Sequence, residues 1–310
     1  MSSELRLIGA EELRARLTMA AAIDALETAF RTHDAGAGPP RSSVETPGGS
    51  LLLMPAFGEA GVGVKLITLT PDNPERGLPY IHASYVLFDP ETQSPEVVLD
   101  GTELTALRTG AVSGLATRHL ARRDASRLVV FGAGVQARSH LEAMCAVRPV
   151  ADLVVVSRSR DAAEALVREG LRRGLRARLG EPGAVAEADL VCTCTTSDSP
   201  LFDGSLLPPG AHVNAVGTHL PVARELDTAT VRRARVVVDT REVALAEAGE
   251  LVIPIAEGAI DADHVAADLA ETVRGAEVRR SPEDVTVFKS VGMAFEDLVV
   301  ARAIVDASPP

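Results

Sequence analysis

Three observations predict an α/β fold made of a doubly wound Rossmann domain and a second, α+β domain. Short apolar runs separated by Gly, Pro and Asn turns fill residues 50–99, and apolar runs alternate with helical segments from Arg127 onward. A glycine-rich turn joins the first of these later runs to its helix. Runs divided by turns are typical of antiparallel strands, and alternation with helices is typical of a parallel sheet. At 310 residues the chain is long enough for two domains.

The first domain is predicted to begin with a helix and continue as a sheet. Thr18 is a candidate N-cap for a helix through about Thr32, with apolar residues at helical spacing. The runs LLLMPAF, VGVKLITL, IHASYVLFD and PEVVLD then predict strands. Residues 101–121 return to helical periodicity, which we interpret as two short helices that lead out of this domain.

The Rossmann domain is predicted from five strand-like runs and the helices between them. The runs are RLVVF, DLVVVS, DLVCTCTT, HVNAVG and RVVVDT, with helices from about Val135, from Asp161 and near Leu226. After Asp284 a short strand and an amphipathic helix follow, and we expect this tail to pack on the first domain. We therefore assign 116–284 to the Rossmann domain and 1–115 with 285–310 to the other.

Composition limits the partners of the chain. A formal charge of −12 and the absence of Trp leave neither a basic face nor stacking platforms, so we expect no nucleic acid and no membrane partner but a small polar ligand. The N-terminus has no apolar signal region and no stretch approaches the roughly 18 apolar residues of a membrane span, so a cytoplasmic location is expected. Three cysteines without a His/Cys cluster predict structural thiols and no metal site.

A dinucleotide site is predicted directly after the first Rossmann strand. The sequence Gly132-Ala133-Gly134-Val135-Gln136-Ala137 has the form G-x-G-x-x-A. Such glycines allow a tight turn and a close approach of backbone amides to a pyrophosphate, which the helix N-terminus then faces. The motif is weak alone, but here it stands between an apolar strand and a helix in a repeated βαβ pattern.

The end of the second Rossmann strand favours NADP(H) over NAD(H). An NAD-specific site usually has an acid here, whereas this chain has Ser157, Arg158 and Ser159, followed by Arg160. Arginine can bind a 2′-phosphate bidentately and serine can donate to it. Two alternatives stay open: a solvated Arg pair before a helix, and a contact from Asp161 to the ribose, which keeps NAD(H) possible.

Three cations are candidates for binding an anionic substrate. Lys65 interrupts an apolar strand on the same face as Gly63 and Ile67, and a buried ammonium needs a counter-anion. Arg41 precedes the strands, and Arg108 lies near the crossing between the domains. Each alone is more often a surface or salt-bridge residue.

A long ordered stretch resembles the ornithine cyclodeaminase/μ-crystallin family. It contains GVKLITLTPDNPERGLPYIHASYVLFDPETQSPEVVLDGTELTALRTGAVSGLAT, FGAGVQARSHL, VNAVGTHLPVARELD and FKSVGMAFEDLVVA. The resemblance implies a homodimer whose α+β domain binds substrate and forms the dimer, and whose carboxylate-binding cations are Arg41, Lys65 and Arg108. It further implies contacts near the nicotinamide or substrate from Ser290 and Val291, and cofactor contacts from Ser84, Thr109, Val135, Gln136, Thr195, Asn214 and Val216.

The segment VGTHLPVARELD departs from the pattern of the cyclodeaminases. Those enzymes have an aspartate where this chain has His219 and a lysine where it has Ala223, so the resemblance places the chain nearer to the μ-crystallin and imino-acid reductase branches. An imidazole can exchange a proton at neutral pH, which suits protonation of an imine nitrogen. The alternative for His219 is a hydrogen-bonded loop residue without a chemical role.

The expected function is NAD(P)H-dependent reduction of a small cyclic ketimine acid, Δ1-pyrroline-2-carboxylate or Δ1-piperideine-2-carboxylate, to the L-amino acid. His219 and Lys65 are the catalytic candidates, with the cofactor supplying the hydride. The enzymatic alternatives are an ornithine cyclodeaminase, a synthase that forms a ketimine, and an amino-acid dehydrogenase of the alanine type. A crystallin-like protein that binds NADPH without turnover is the alternative from another class.

Overall fold

The structure, a computed structural model, describes residues 5–32 and 38–307, and it has the α/β fold that the sequence predicts. The chain divides into two compact units: unit 1 is Met1–Arg108 with Gly292–Pro310, and unit 2 is Thr109–Val291. The boundaries predicted at residues 115 and 285 differ from these by seven residues each. No helix within the described ranges is both long and apolar enough to cross a bilayer.

Strands and helices are numbered along the chain. The strands are β1 (Arg6–Ile8), β2 (Ser42–Thr46), β3 (Gly49–Gly58), β4 (Gly61–Leu69), β5 (Ile81–Phe88), β6 (Pro95–Asp100), β7 (Arg127–Phe131), β8 (Asp152–Val156), β9 (Arg176–Leu179), β10 (Leu190–Thr193), β11 (His212–Ala215), β12 (Arg235–Val238), β13 (Val265–Asp268) and β14 (Thr286–Lys289). The α-helices are α1 (Ala10–Arg16), α2 (Met19–Thr32), α3 (Gly101–Leu120), α4 (Val135–Val147), α5 (Arg160–Arg172), α6 (Thr228–Arg233), α7 (Arg241–Glu247), α8 (Gly249–Ala256), α9 (Leu269–Val273) and α10 (Ala294–Asp306).

Unit 1 is built on a six-stranded sheet with the order β1-β6-β5-β4-β3-β2. Strands β2 to β6 pair antiparallel with their neighbours, as the turns in the sequence predict, and β1 pairs parallel to β6. Along β4 buried and half-buried residues alternate, and Lys65 lies on the buried face. Helix α10 packs against this face, where Asp297 pairs with Lys65.

Helices α2 and α10 pack together in unit 1. Ring centroids of Phe30 and Phe295 lie 5.5 Å apart in an edge-to-face arrangement, and Ile23, Leu26, Leu298 and Ile304 are fully buried. Helix α2 begins after Thr18, whose Oγ1 accepts a hydrogen bond from the backbone N–H of Ala21 at 3.2 Å. The predicted helix and the predicted return of the C-terminal tail to the first domain are both confirmed.

Helix α3 is one continuous element of 20 residues, so the prediction of two short helices is wrong. A glycine inside the helix serves packing. A Cβ on Gly110 would lie 2.2 Å from the Oγ of Ser139 in α4, so this glycine allows the two helices to approach closely. The long helix also explains why the predicted boundary at residue 115 was misplaced, since it crosses from one unit into the other.

Unit 2 has an eight-stranded, fully parallel sheet with the order β13-β12-β14-β11-β10-β7-β8-β9. The chain moves outward from β7 through β8 to β9 and then returns to the other side of β7 with β10, which is the doubly wound arrangement predicted. Two features were not predicted, namely the short strands β9 and β13 and the insertion of β14 between β11 and β12. The order reverses between β7 and β10, where such folds bind ligands.

Candidate active site

A cleft of about 620 Å³ lies in unit 2 at the carboxyl ends of β7, β8 and β10. Its size is that of an ordinary small-molecule site. Five residues predicted to bind the cofactor line this cleft together: Gly132, Ser157, Arg158, Ser159 and Thr195. The sequence motif and the topological switch point therefore coincide.

The glycines of the cleft fit a dinucleotide. Gly132 has φ +99°, and a Cβ there would lie 2.5 Å from the carbonyl oxygen of Cys194, so only glycine is accommodated. Gly134 is the N-cap of α4, and a Cβ there would meet no protein atom within 4 Å. Open space beside the free amides of a helix N-terminus is what a pyrophosphate requires.

The first turn of α4 adds two predicted contact residues. Val135 is 58% exposed, and the Oε1 of Gln136 is buried without a hydrogen-bond partner among the residues described. A buried unpaired acceptor is unfavourable unless a ligand or water satisfies it. Both observations agree with a ligand bound at this helix end.

The two arginines after β8 differ in their partners. The Nε of Arg160 donates to the Oε1 of Glu164 at 2.9 Å within α5, whereas Arg158 is exposed, lines the cleft and pairs with no carboxylate in the described part of the chain. Asp161 is not among the lining residues, although Glu181 is. Arg158 is therefore the cation available to a phosphate in this cleft.

Lys65 and Arg108 meet in unit 1 through the carboxylates at the start of α10. The Nζ of Lys65 lies 2.7 Å from the Oδ2 of Asp297, and the Nε of Arg108 lies 3.1 Å from its Oδ1. The Nη1 of Arg108 lies 2.8 Å from the Oε2 of Glu296. These four side chains are at least nine-tenths buried.

Arg41 joins the same cluster through Gly292. The Nη2 of Arg41 donates to the carbonyl oxygen of Gly292 at 3.3 Å, and a Cβ on Gly292, which has φ +81°, would lie 2.8 Å from the Nη1 of Arg108. The structure thus brings the three predicted cations together. Ser84 is apart from them, because it is exposed and pairs with Leu66, on the opposite face of the sheet from Lys65.

The counter-anion that Lys65 requires comes from its own chain. The pKa of Lys65 is lowered to about 8, because burial, the largest influence, and the guanidinium of Arg108 together outweigh the opposing effect of Asp297. The expectation that a substrate carboxylate supplies this anion is therefore incomplete. Sequence reasoning missed Asp297 and Glu296, although two adjacent acids inside the apolar run of the last helix were a visible signal.

His219 lies half-buried on the segment 216–227, which has no regular secondary structure. The carbonyl oxygen of the preceding Thr218 accepts a hydrogen bond from the Nζ of Lys289 at 2.6 Å. Burial lowers the pKa of His140 to about 4 and that of His212 to about 3, so both rings are uncharged at neutral pH. Lys289 was missed, yet it and Lys65 are the only lysines in the sequence.

The remaining predicted residues divide between interior and strand ends. Asn214 is fully buried, and its Nδ2 donates to the Oγ1 of Thr117 at 2.9 Å, so its side chain belongs to the interior of unit 2 rather than to the cleft. Ser290 and Val291 follow β14, and the N–H of Val291 donates to the Oδ2 of Asp239 at 2.7 Å. Val216 is half-buried after β11, and Thr109 is buried in α3.

The open space at Gly134 leads to a test of the cleft. Replacing Gly134 by Ala is expected to leave the unfolding midpoint unchanged, because the new methyl meets no protein atom. The same methyl would occupy the space of a pyrophosphate, so NAD(P)H affinity should fall at least roughly tenfold. Fluorescence titration measures this, with Gly183→Ala, also in open space, as the control. Equal affinity in both variants would contradict the assignment.

Comparisons with known proteins agree with this geometry. The model of the ornithine cyclodeaminase/mu-crystallin family matches residues 5–308. The Δ1-pyrroline-2-carboxylate reductase of Bacillus cereus is 38% identical over 258 residues, covering 81% of this chain and 79% of its own.

Two solved structures resemble nearly the whole chain. The Δ1-pyrroline-2-carboxylate reductase of Thermococcus litoralis in complex with NADH and L-proline has a TM-score of 0.92 at 36% identity and covers 97% of this chain and 96% of its own. An archaeal alanine dehydrogenase dimer with bound NAD has a TM-score of 0.91 at 33% identity, over 97% and 95% of the two chains. This chain belongs to the ornithine cyclodeaminase/mu-crystallin family.

Proposed function

We propose that the chain is a nicotinamide-dependent oxidoreductase that reduces Δ1-pyrroline-2-carboxylate or Δ1-piperideine-2-carboxylate to the L-amino acid. The observation that carries the proposal is the buried cluster of Lys65, Arg108 and Arg41, in a chain whose other unit has a dinucleotide cleft. Relatives named for this reaction, one of them in complex with NADH and L-proline, support it.

The cations of unit 1 bind the carboxylate of the substrate. Arg108 is held by Glu296 and Asp297, and Lys65 by Asp297, so their side chains are oriented before any ligand arrives. Preorganised donors lower the entropic cost of fixing a small acid in one orientation. Arg41 is only half-buried and supplies a further guanidinium, which donates to the carbonyl oxygen of Gly292.

The reaction adds a hydride and a proton across the C=N bond. The reduced nicotinamide supplies the hydride to the imine carbon when it is bound. His219 supplies the proton to the imine nitrogen, directly or through water, so that the product is the neutral ring amine before it takes up a proton from solvent. A histidine suits this role because its ordinary pKa is near 6.5.

The function is tested by following oxidation of NADPH and NADH with each ketimine acid, beside assays of L-ornithine for ammonia release and of L-alanine for NAD(P)+ reduction. We expect rapid oxidation with a ketimine acid and no release of ammonia from ornithine. Turnover of ornithine or alanine at a higher kcat/KM would replace the proposal by the corresponding activity. Tight NADPH binding without turnover of any of these acids would indicate a binding protein.

Preference for NADPH is proposed on account of Arg158. Arg158→Ala should weaken NADPH binding roughly tenfold or more, because a hydrogen bond to a charged group contributes about 1.5–3 kcal/mol, and should leave NADH binding within about twofold. Arg160→Ala is the matched control, since Arg160 already pairs with Glu164. Equal losses for both cofactors, or tighter NADH than NADPH binding by the wild type, would contradict this preference.

The pKa of Lys65 predicts how catalysis depends on pH. Lys65 is charged below a pKa of about 8 and neutral above it, and only the charged form attracts a carboxylate. We expect kcat/KM for the ketimine acid to fall above about pH 8, by up to about tenfold per pH unit. In Lys65→Arg the guanidinium stays charged, so the absolute rate drops but this decline should disappear. A decline that persists unchanged in Lys65→Arg would assign it to another group.

A homodimer and a cytoplasmic location complete the proposal. The similar archaeal alanine dehydrogenase is described as a dimer, which supports the first. The second remains a prediction.

A further inference from the structure

Glu225 is a buried carboxylate that connects two strand ends of unit 2. Its Oε1 accepts hydrogen bonds from the backbone N–H of Thr195 at 2.8 Å and from its hydroxyl at 2.6 Å. Its Oε2 accepts from the hydroxyl of Thr193 at 2.7 Å and from the N–H of Gly217 at 2.8 Å. One side chain thus joins the end of β10 to the start of the segment that carries His219.

Glu250 and Lys289 extend this connection to the residue before His219. The Oε1 of Glu250 accepts from the N–H of Glu225 at 2.9 Å, and its Oε2 lies 2.9 Å from the Nζ of Lys289. The same ammonium donates to the carbonyl oxygen of Thr218 at 2.6 Å. Glu225, Glu250 and Lys289, called here the buried triad, are each no more than 1% exposed.

The buried triad closes residues 217–225 into a loop, because the Glu225 side chain bonds back to Gly217. The loop has no helix or strand of its own, and its outer residues Leu220 and Val222 are 52% and 81% exposed. A Cβ on Gly217 would lie 2.2 Å from the carbonyl oxygen of Thr195, so the loop fits tightly against the residues that follow β10. The two residues before His219 are thus both hydrogen-bonded to buried charged groups, Gly217 to Glu225 and Thr218 to Lys289.

Stability alone is a weak reason to retain such a group. Desolvation of buried charges offsets much of their attraction, and apolar replacements of similar volume are often as stable. The two lysines of this chain are both fully buried, and both pair with carboxylates. All other permanently cationic side chains are arginines. Lysine offers a compact donor that can bond one carbonyl and one carboxylate, as Lys289 does.

We propose that Glu225, Glu250 and Lys289 are positioning residues for the reaction: they fix the Thr218–His219 peptide and the cleft-lining Thr195 in one arrangement. The proposal rests on the proposed function, in which His219 is the proton donor. The buried triad does not contact the reacting atoms itself. It acts by limiting the orientations of the imidazole, and small misplacements of a catalytic group are costly for the rate.

The test compares Glu250→Gln with Glu257→Gln. The first keeps the shape of the side chain and an acceptor for Glu225 but removes the charge beside Lys289. The second makes the same chemical change on the outside of the loop, where Glu257 pairs with Arg224 at 3.3 Å. His219→Asn serves as the reference that removes the proton donor.

In Glu250→Gln we expect kcat to fall at least roughly tenfold, while KM for the ketimine acid and the Kd of NADPH stay within about twofold. The part of the kcat–pH profile that disappears in His219→Asn should move by at least about half a pH unit. Glu257→Gln should match the wild type in all of these. A Glu250→Gln enzyme with a lowered unfolding midpoint but wild-type kcat and pH profile would overturn the proposal, as would a His219→Asn enzyme of wild-type activity.

Lys289→Arg and an NMR titration of His219 test the positioning role if the first comparison fails. If Glu250→Gln does not fold, Lys289→Arg takes its place, since it keeps the charge but changes the geometry at the Thr218 carbonyl. If the wild type reduces no ketimine acid, the proposed function fails, and the positioning is judged by the NMR titration of the His219 ring in the NADPH complex, assigned by its loss in His219→Asn. A changed titration in the triad variant supports positioning, and an unchanged one overturns it.

Discussion

The ion pair between Lys65 and Asp297 is the interaction on which unit 1 depends. It joins the buried face of the central strand β4 to the first turn of α10, and the same carboxylate bonds Arg108 in α3. Because an unpaired buried ammonium is very unfavourable, the sheet and the C-terminal helix must associate for either to be stable here. Lys65 and Arg108, the cations proposed to bind substrate, are thus part of the core, and their orientation follows from folding.

Unit 2 uses the same physical solution for a different purpose. In both units a fully buried lysine pairs with a carboxylate from the N-terminal turn of a helix, Asp297 of α10 in one and Glu250 of α8 in the other. A carboxylate in the first turn of a helix is also favoured by the helix dipole. In unit 1 the charges lie in the proposed anion site, and in unit 2 they contact a loop that carries a candidate acid.

Features with local causes were predictable from the sequence, and those that depend on distant partners were not. The glycines at 132 and 134 signal their turn because the strand and helix they join are adjacent in sequence. Asp297 was missed because Lys65 lies more than two hundred residues earlier, and nothing in either local pattern links them. The expectation of two short helices over α3 was wrong, and the close contact between Gly110 and Ser139 of another helix is likewise invisible in the local pattern. For Asn214, the family resemblance implied a cofactor contact, while the hydrogen bond to Thr117 shows an interior side chain.

The use of lysine in this chain has a consequence for its chemistry in solution. With Lys65 and Lys289 as the only lysines, and both fully buried, the folded protein presents no side-chain amine to a reagent at its surface. Acylating agents, aldehydes and amine-directed cross-linkers would reach Lys289 only when unit 2 opens, whereas Lys65 would also meet small molecules that enter the proposed substrate site. The rate at which Lys289 is acylated therefore measures how often unit 2 unfolds locally.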